Sequence, residues 1–410
     1  MSVQDLETRI EVLSAEIERQ KEVLNQLERS KRAAQRELNT LRDPIAHLPL
    51  EISSEIFRHC APAFPRPPNP RVVPMLLLNI CNAWSTIALS TPALWVTLAI
   101  HNPCDELLQI WLQRARGYSL SVKLMGMDGT RELNKEITTV GKYSKQLKHL
   151  EIYGEEPDLD PFIAVGSFPH LETLEIGCLE LDIDEVSITQ IIHLLNAATN
   201  LVELTLHNIS TFLDYNKEPA LLRIRSLKFG TSTDPAQHNS HDDFLEYVSL
   251  PGLTTLLLAF NVISPLDFSL FLERSSPPLQ RLGLGPGSYE ITFDYLDRCF
   301  RIVPSLRHLE LHIVSTCLGD LLLALASSSS ELLPNLESLE MRYHLTVPLP
   351  IAYEVLLRAL SVRRERLRRF GLKGENVDDP GQEVCNALKR LAADGMEIYI
   401  GSDDYNFISS

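Results

Sequence analysis

One short pattern recurs nine times between Leu147 and Leu372: an apolar residue, two others, a second apolar residue, one other, and a third apolar residue. It reads Leu147, Leu150, Ile152; Leu171, Leu174, Ile176; Leu201, Leu204, Leu206; Ile224, Leu227, Phe229; Leu253, Leu256, Leu258; Leu279, Leu282, Leu284; Leu306, Leu309, Leu311; Leu336, Leu339, Met341; Leu367, Phe370, Leu372. The starts lie 23 to 31 residues apart. Apolar residues spaced by two belong to a short strand, and a period of roughly 20 to 29 residues is the leucine-rich-repeat signature, with helix on the return path. The expected fold class is therefore α/β, a leucine-rich-repeat solenoid of horseshoe shape. Each unit buries its leucines against its neighbours and leaves the residues between them on the concave strand face, a surface suited to another macromolecule.

The same spacing is already present at Trp95, Leu98 and Ile100, and a degenerate strand follows at Leu120, Val122 and Leu124, so the solenoid is expected over 96–402. Return helices are predicted over 188–198, 266–273, 295–302, 318–326, 352–362 and 383–393. Met396, Ile398 and Ile400 read as a final strand. Residues 403–410 form a polar tail, either disordered or capping the last repeat.

Residues 1–43 have a different period. Val3, Ile10, Ile17, Leu24 and Leu38 occupy one heptad position, and Leu6, Leu13, Leu27, Ala34 and Leu41 the other, interrupted by Lys31 and Gln20. This is a coiled-coil seam in which polar residues trade stability for register. It predicts a homo-oligomer formed through the N-terminal helix; the alternative is a lone amphipathic helix folded back on its own chain. Glu16 and Lys21 sit where an interhelical ion pair forms, but the flanks as a whole do not assign an orientation. Asp43-Pro44 ends the helix, because the residue before proline is pushed out of helical geometry.

A compact unit is then expected over 44–95. It opens PIAHLPLEISSEIFRHC, continues through prolines 62, 65, 67, 68, 70 and 74 as an extended bridge, and closes LLLNICNAWSTIALSTPALW. Pro49 suits the first turn of a helix that places Ile52, Ile56 and Phe57 on one face, and Leu77, Ile80, Cys81, Trp84 and Ala88 form a second helical stripe. About 50 residues bury too little to stand alone, so apolar surface remains for a partner or for the neighbouring repeats. This segment resembles an F-box, in particular the F-boxes expanded in mushroom-forming fungi, with a proline-rich spacer and an ALSTP-x-LW tail. The resemblance implies docking on the adaptor subunit of an SCF-type ubiquitin ligase through Leu48, Pro49, Ile52, Ile56 and Phe57, with Trp84 supporting the helical packing.

The net charge of -16 is uneven: 17 basic and 16 acidic residues lie up to Ser144, against 21 basic and 38 acidic beyond it. An acidic surface repels phosphate backbones, so nucleic acid is not expected as a partner; a basic protein client, or simple solubility, accounts for the excess. No run of about 18 apolar residues predicts a membrane span, and the charged start lacks a secretory core, which points to the cytoplasm or nucleus. Seven scattered cysteines with no C-x-x-C read as reduced, mostly buried thiols.

Candidate chemistry is sparse. His308, Glu310 and His312 alternate on one strand, and His238, His241, Asp242 and Asp243 share a loop; both sets contain metal-ligand types, but a strand face and a solvated turn carry such residues anyway. No G-x-S-x-G, phosphate-cradling glycine loop or H-E-x-x-H occurs, so neither enzyme chemistry nor a cofactor is expected. Client-binding residues are expected on the concave face at Glu151, Glu175, His308, Glu310, His312 and Glu340. The arginines at 363, 364, 366, 368 and 369 are the one basic cluster, suited to a phosphorylated segment or to a solvated helix end. Together these features predict a non-enzymatic client receptor of an SCF-type ligase, or alternatively a coiled-coil scaffold with no ligase role.

Overall fold

A computed structural model of the chain describes residues 3–62, 65–101, 105–126, 130–154, 159–177, 184–207, 209–212, 219–229, 244–259, 265–285, 292–313, 317–327, 332–343, 352–374, 377–402 and 404–408. It is a mixed α/β chain with a long N-terminal helix, Val3–Arg42, and a twelve-stranded sheet whose strands follow chain order. The strands are Thr97–Ile100, Leu120–Met125, Leu147–Tyr153, Thr173–Gly177, Glu203–His207, Ser226–Phe229, Thr255–Ala259, Arg281–Gly285, His308–Ile313, Ser338–Tyr343, Arg369–Gly374 and Glu397–Gly401. Two short parallel pairs stand apart, Asp184–Ser187 with Ile209–Phe212 and Ala220–Leu221 with Val248–Ser249.

Contacts divide the chain into two compact units, residues 1–100 with 104–122, and 101–103 with 123–410. In the second unit the repeated apolar residues become two continuous ladders. Strand pairing aligns Leu150, Leu174, Leu204, Leu227, Leu256, Leu282, Leu309, Leu339, Phe370 and Ile398, and two residues on it aligns Ile152, Ile176, Leu206, Phe229, Leu258, Leu284, Leu311, Met341, Leu372 and Ile400. All twenty are buried. Parallel strands need crossovers, and most here are helical: Ile188–Ala197, Pro265–Ser275, Phe293–Ile302, Leu318–Ala326, Tyr353–Arg363 and Gly381–Ala393 match the expected helices within a few residues. Thr130–Gly141 and Asp160–Val165 are helices that the leucine spacing did not announce.

A second regularity ties one repeat to the next. The backbone carbonyl just after each first pattern residue accepts an N–H from the following repeat: Glu172 to Lys148, Val202 to Glu172, Arg225 to Val202, Thr254 to Arg225, Gln280 to Thr254, Arg307 to Gln280, Glu337 to Arg307, Arg368 to Glu337 and Glu397 to Arg368, at 2.7–2.9 Å. Side chains reinforce the same join, Asn200 Nδ2 donating to the Pro169 carbonyl at 2.6 Å and Asn335 Nδ2 to that of Pro304 at 3.0 Å. Buried backbone polar groups are thereby satisfied where the chain turns into each strand.

The expected polar tail does structural work at the last strand. Phe407 N–H donates to the Ile400 carbonyl at 2.9 Å, Ile400 N–H to Asn406 Oδ1 at 3.2 Å, and Ile408 is buried. Gly401, at φ +151°, lets Tyr405 approach so closely that a β-carbon would collide with its carbonyl. A paired strand edge is a protected one.

In the first unit the boundary falls later than Trp95. Trp95 is fully buried, donates from Nε1 to the Ala88 carbonyl at 2.9 Å, meets the Trp111 ring at 4.9 Å, and carries the Arg114 guanidinium 4.4 Å above it. Helix Asp105–Arg114 therefore belongs with the box, as does strand Thr97–Ile100, whose Ala99 N–H donates to the Arg66 carbonyl of the proline-rich bridge at 3.1 Å. The second helical stripe is not continuous. Leu77–Asn79 is a short 3-10 turn, Cys81 is extended with its Sγ capping Trp84 N–H at 3.5 Å, and the helix proper is Asn82–Ser90. The seam helix ends at Arg42, and Asp43 Oδ1 accepts the Ile45 N–H at 2.8 Å to start the turn Pro44–His47.

Candidate functional site

Helix Leu50–His59, capped by Pro49, is the first candidate surface. Its apolar residues split between two faces, because each step turns the helix by about 100°. Ser53 and Phe57, four apart, point inward: Ser53 Oγ donates to the Ile45 carbonyl at 3.2 Å, and Phe57 meets Trp84 at 4.8 Å. Ile52 and Ile56, also four apart, remain 52% and 38% exposed, beside Leu48 at 41% and exposed Pro49. Phe57 is thus a core residue that fixes the helix, and it does not share the outward face expected for it. Leu50, 48% exposed and not among the residues expected from sequence, completes the edge in its place.

The second candidate is the strand face turned away from the crossover helices, built from residues between the ladder positions. Glu151 and Glu175 pair across adjacent strands. Lys123 Nζ lies 2.6 Å from Glu151 Oε2 and 4.4 Å from the centre of the Tyr153 ring. Tyr153 Oη donates to Glu175, and His207 Nε2 lies 3.1 Å from Glu175 Oε1. The His207 hydrogen bond, with Lys123 and Lys228 nearby, holds the Glu175 carboxyl below the ordinary carboxylate range against the opposing effect of burial. Gly177 makes room for this arrangement, since a β-carbon there would lie 2.7 Å from the Tyr153 ring.

Further along, His308 aligns with Ser338, Glu310 with Glu340 and His312 with Arg342. Arg342 Nε lies 3.3 Å and His312 Nε2 3.9 Å from Glu310 Oε1, while Arg369 Nε lies 3.5 Å from Glu340 and 3.4 Å from Glu397. Burial and neighbouring Arg281 push the His308 imidazole below its usual value. The four expected glutamates therefore sit among cations of their own chain, and the face is mixed in charge. Between the two charged groups the central strands carry Leu257 against Gly283, where a β-carbon would lie only 2.5 Å from the Leu257 side chain.

The basic cluster is dispersed. Arg363 reaches inward and donates to the Leu325, Leu333 and Leu332 carbonyls at 3.2, 3.3 and 2.9 Å, with burial pushing its pKa down. Arg366 donates to the Pro334 carbonyl, and Arg369 serves the strand face. Spacing along the chain carries no sign of this, because 363 ends a helix whereas 369 starts a strand.

Among the described residues no three histidine, cysteine or carboxylate side chains converge as a metal site. His238, His241, Asp242 and Asp243 lie outside the described residues, as do Cys104 and Cys178. Cys81, Cys299 and Cys317 are buried and Cys60 is exposed; burial pushes the Cys299 thiol up to about 11, away from nucleophilic thiolate chemistry. No described helix is long and apolar enough to cross a membrane. Compared with known proteins, the chain matches no family model and no curated protein.

Proposed function

We propose that this chain is the client-binding subunit of an SCF-type ubiquitin ligase, with its box docked on the adaptor subunit and a leucine-rich-repeat solenoid holding a protein client. The observation that carries the reading is the apolar edge of Leu48, Leu50, Ile52 and Ile56, left in solvent by a helix whose other face is already filled by Ser53 and Phe57. Exposed apolar residues grouped on a small unit mark a binding surface. The F-box resemblance supplies the partner, and the register of the two apolar ladders supports the repeat architecture. No residue of this chain performs chemistry in this reading; the client's lysines are presented to the transfer machinery by proximity.

The client lies along the mixed-charge strand face. A basic client engages the half-buried Glu151, Glu175, Glu310 and Glu340 by exchanging with cations already there, so little net ion-pair energy is gained. Affinity then needs an apolar anchor, for which the stretch around Leu257 and Gly283 is suited. A scaffold without ligase role uses the same strand face and is favoured by the exposed N-terminal seam; the two readings part at the adaptor. The test is adaptor capture by the full chain and by a Leu48→Ala, Ile52→Ala variant, both sites being too exposed to alter folding. Loss of capture with an unchanged unfolding transition supports the ligase reading, and undiminished capture by the folded variant leaves the scaffold.

A further inference from the structure

We infer that two copies of this chain pair in parallel and in register through their N-terminal helices. The inference goes beyond the ligase reading and stands whether or not the box meets an adaptor. Helix Val3–Arg42 runs about 60 Å at 1.5 Å per residue, with its seam open along that length. Ile10, Leu13, Ile17, Leu24, Leu27 and Leu41 are 54–76% exposed.

The helix is held by its own chain on the opposite side. Asn39 Nδ2 donates to the Ile80 carbonyl at 3.1 Å, and Arg36 Nη2 to Asn79 Oδ1 at 3.3 Å. In heptad terms Arg36, Asn39 and Thr40 are f, b and c positions, and these three are half-buried, whereas Leu38 and Leu41 in the same turn stay exposed. The box therefore grips the back of the helix and leaves the described a and d residues exposed for a second copy.

The flanks alone assign no direction, but with Arg42 inside the helix the charge pattern and the core layers together do. In a parallel pair each g residue meets the e residue five positions on in its partner. Glu16 then faces Lys21, and because the helix continues through Arg42, Glu37 faces Arg42. Arg9 with Ser14, Val23 with Glu28 and Ser30 with Gln35 add no repulsion. The intrahelical pairs of Glu16 with Arg19 and Lys21 with Glu18 are solvent-exposed and readily exchanged. Core layers agree: in parallel register Gln20 meets Gln20 and Lys31 meets Lys31, amide facing amide, with the lysine stem carrying its ammonium out of the seam. A fully overlapped antiparallel pair sets Gln20 against Leu24 and Lys31 against Leu13, and its flanks set Arg9 near Glu37 but bring Lys21 next to Lys21. The Gln20 amide facing leucine has no hydrogen-bond partner, which costs more than the matched Gln20 layer of the parallel pair. The parallel pair places both boxes at one end of the coil and makes the assembly bivalent.

The full chain should sediment at twice its 46.3 kDa mass. In a Cys60→Ser background, Leu13→Cys should form a disulfide-linked dimer on mild oxidation, while a mixture of Leu13→Cys and Lys31→Cys chains should give only self-linked products. Glu16→Lys with Glu37→Lys should weaken the dimer on the order of tenfold, four attractive pairs becoming repulsive. Mixing that variant with Lys21→Glu, Arg42→Glu chains should restore dimer, which a mere folding defect cannot do. A monomeric full chain, or a dominant cross-link between positions 13 and 31, overturns the proposal.

Discussion

Leu282 and Leu24 are the same residue type in one chain, yet Leu282 has no exposed surface and Leu24 keeps 58% of its own. The difference lies in where each finds its counterpart. In the repeat sheet every apolar position recurs some 23 to 31 residues later, and parallel pairing sets equivalents on adjacent strands, so burial is complete within the chain. The N-terminal helix repeats every 3.5 residues on average, and the chain has no second heptad segment to match it. Apolar content therefore says how much surface seeks cover, while periodicity says whether the cover comes from the same molecule.

Paired substitutions sharpen this contrast, taken in falling order of effect. Leu282→Ala should destabilise the sheet unit by about 2–5 kcal/mol, the range for a buried leucine that leaves a cavity. Leu24→Ala should leave the unfolding of that unit unchanged and alter only the assembled mass. Urea unfolding followed by strand signal checks both, and equal losses would erase the distinction between the regions. Arg363→Ala comes next. It strips the hydrogen bonds from three carbonyls between repeats and should cost about 1–3 kcal/mol, whereas Arg364→Ala, at an exposed position of the same helix end, should cost almost nothing. Similar losses for both would mean that Arg363 acts only as part of a diffuse basic cluster.

The smallest effect concerns pH. His207 and the nearby lysines hold the folded Glu175 carboxyl below its usual 4.5, so the unfolded chain binds more protons in that window. The resulting stability is fully present above about 4.5 and is lost as pH falls through the folded value. Glu175→Gln should flatten the decline in urea midpoint between about pH 5 and pH 3. An unchanged slope would show that the strand-face cluster makes no contribution to folding.

Much of the architecture was legible because it is periodic. The nine-fold spacing located the strands from Leu147 to Gly374, the six return helices lie within a few residues of expectation, and Asp43-Pro44 marked the end of the first helix. Other features depended on contacts that no local period carries. Phe57 turned inward because Trp84 meets it there, the stripe through Cys81 broke where its thiol became a cap, and the boundary after Trp95 moved because Trp111 and Arg114 close over that ring. Between Glu203–His207 and Thr255–Ala259 the described residues form short strands and a 3-10 turn, Phe244–Tyr247, which the leucine spacing does not announce.

For the candidate surfaces, sequence alone decided which residues stand between the ladder leucines, since alternation along a strand fixes the face of each side chain. It also decided that the N-terminal helix has an apolar seam, which follows from spacing alone. Only the tertiary structure decided that Glu151, Glu175, Glu310 and Glu340 lie beside Lys123, His207, Arg342 and Arg369, because those neighbours come from adjacent strands at distances set by crossover length and register. Likewise, it decided that the box grips Arg36 and Asn39 on the back of the first helix and leaves the leucines of its seam exposed.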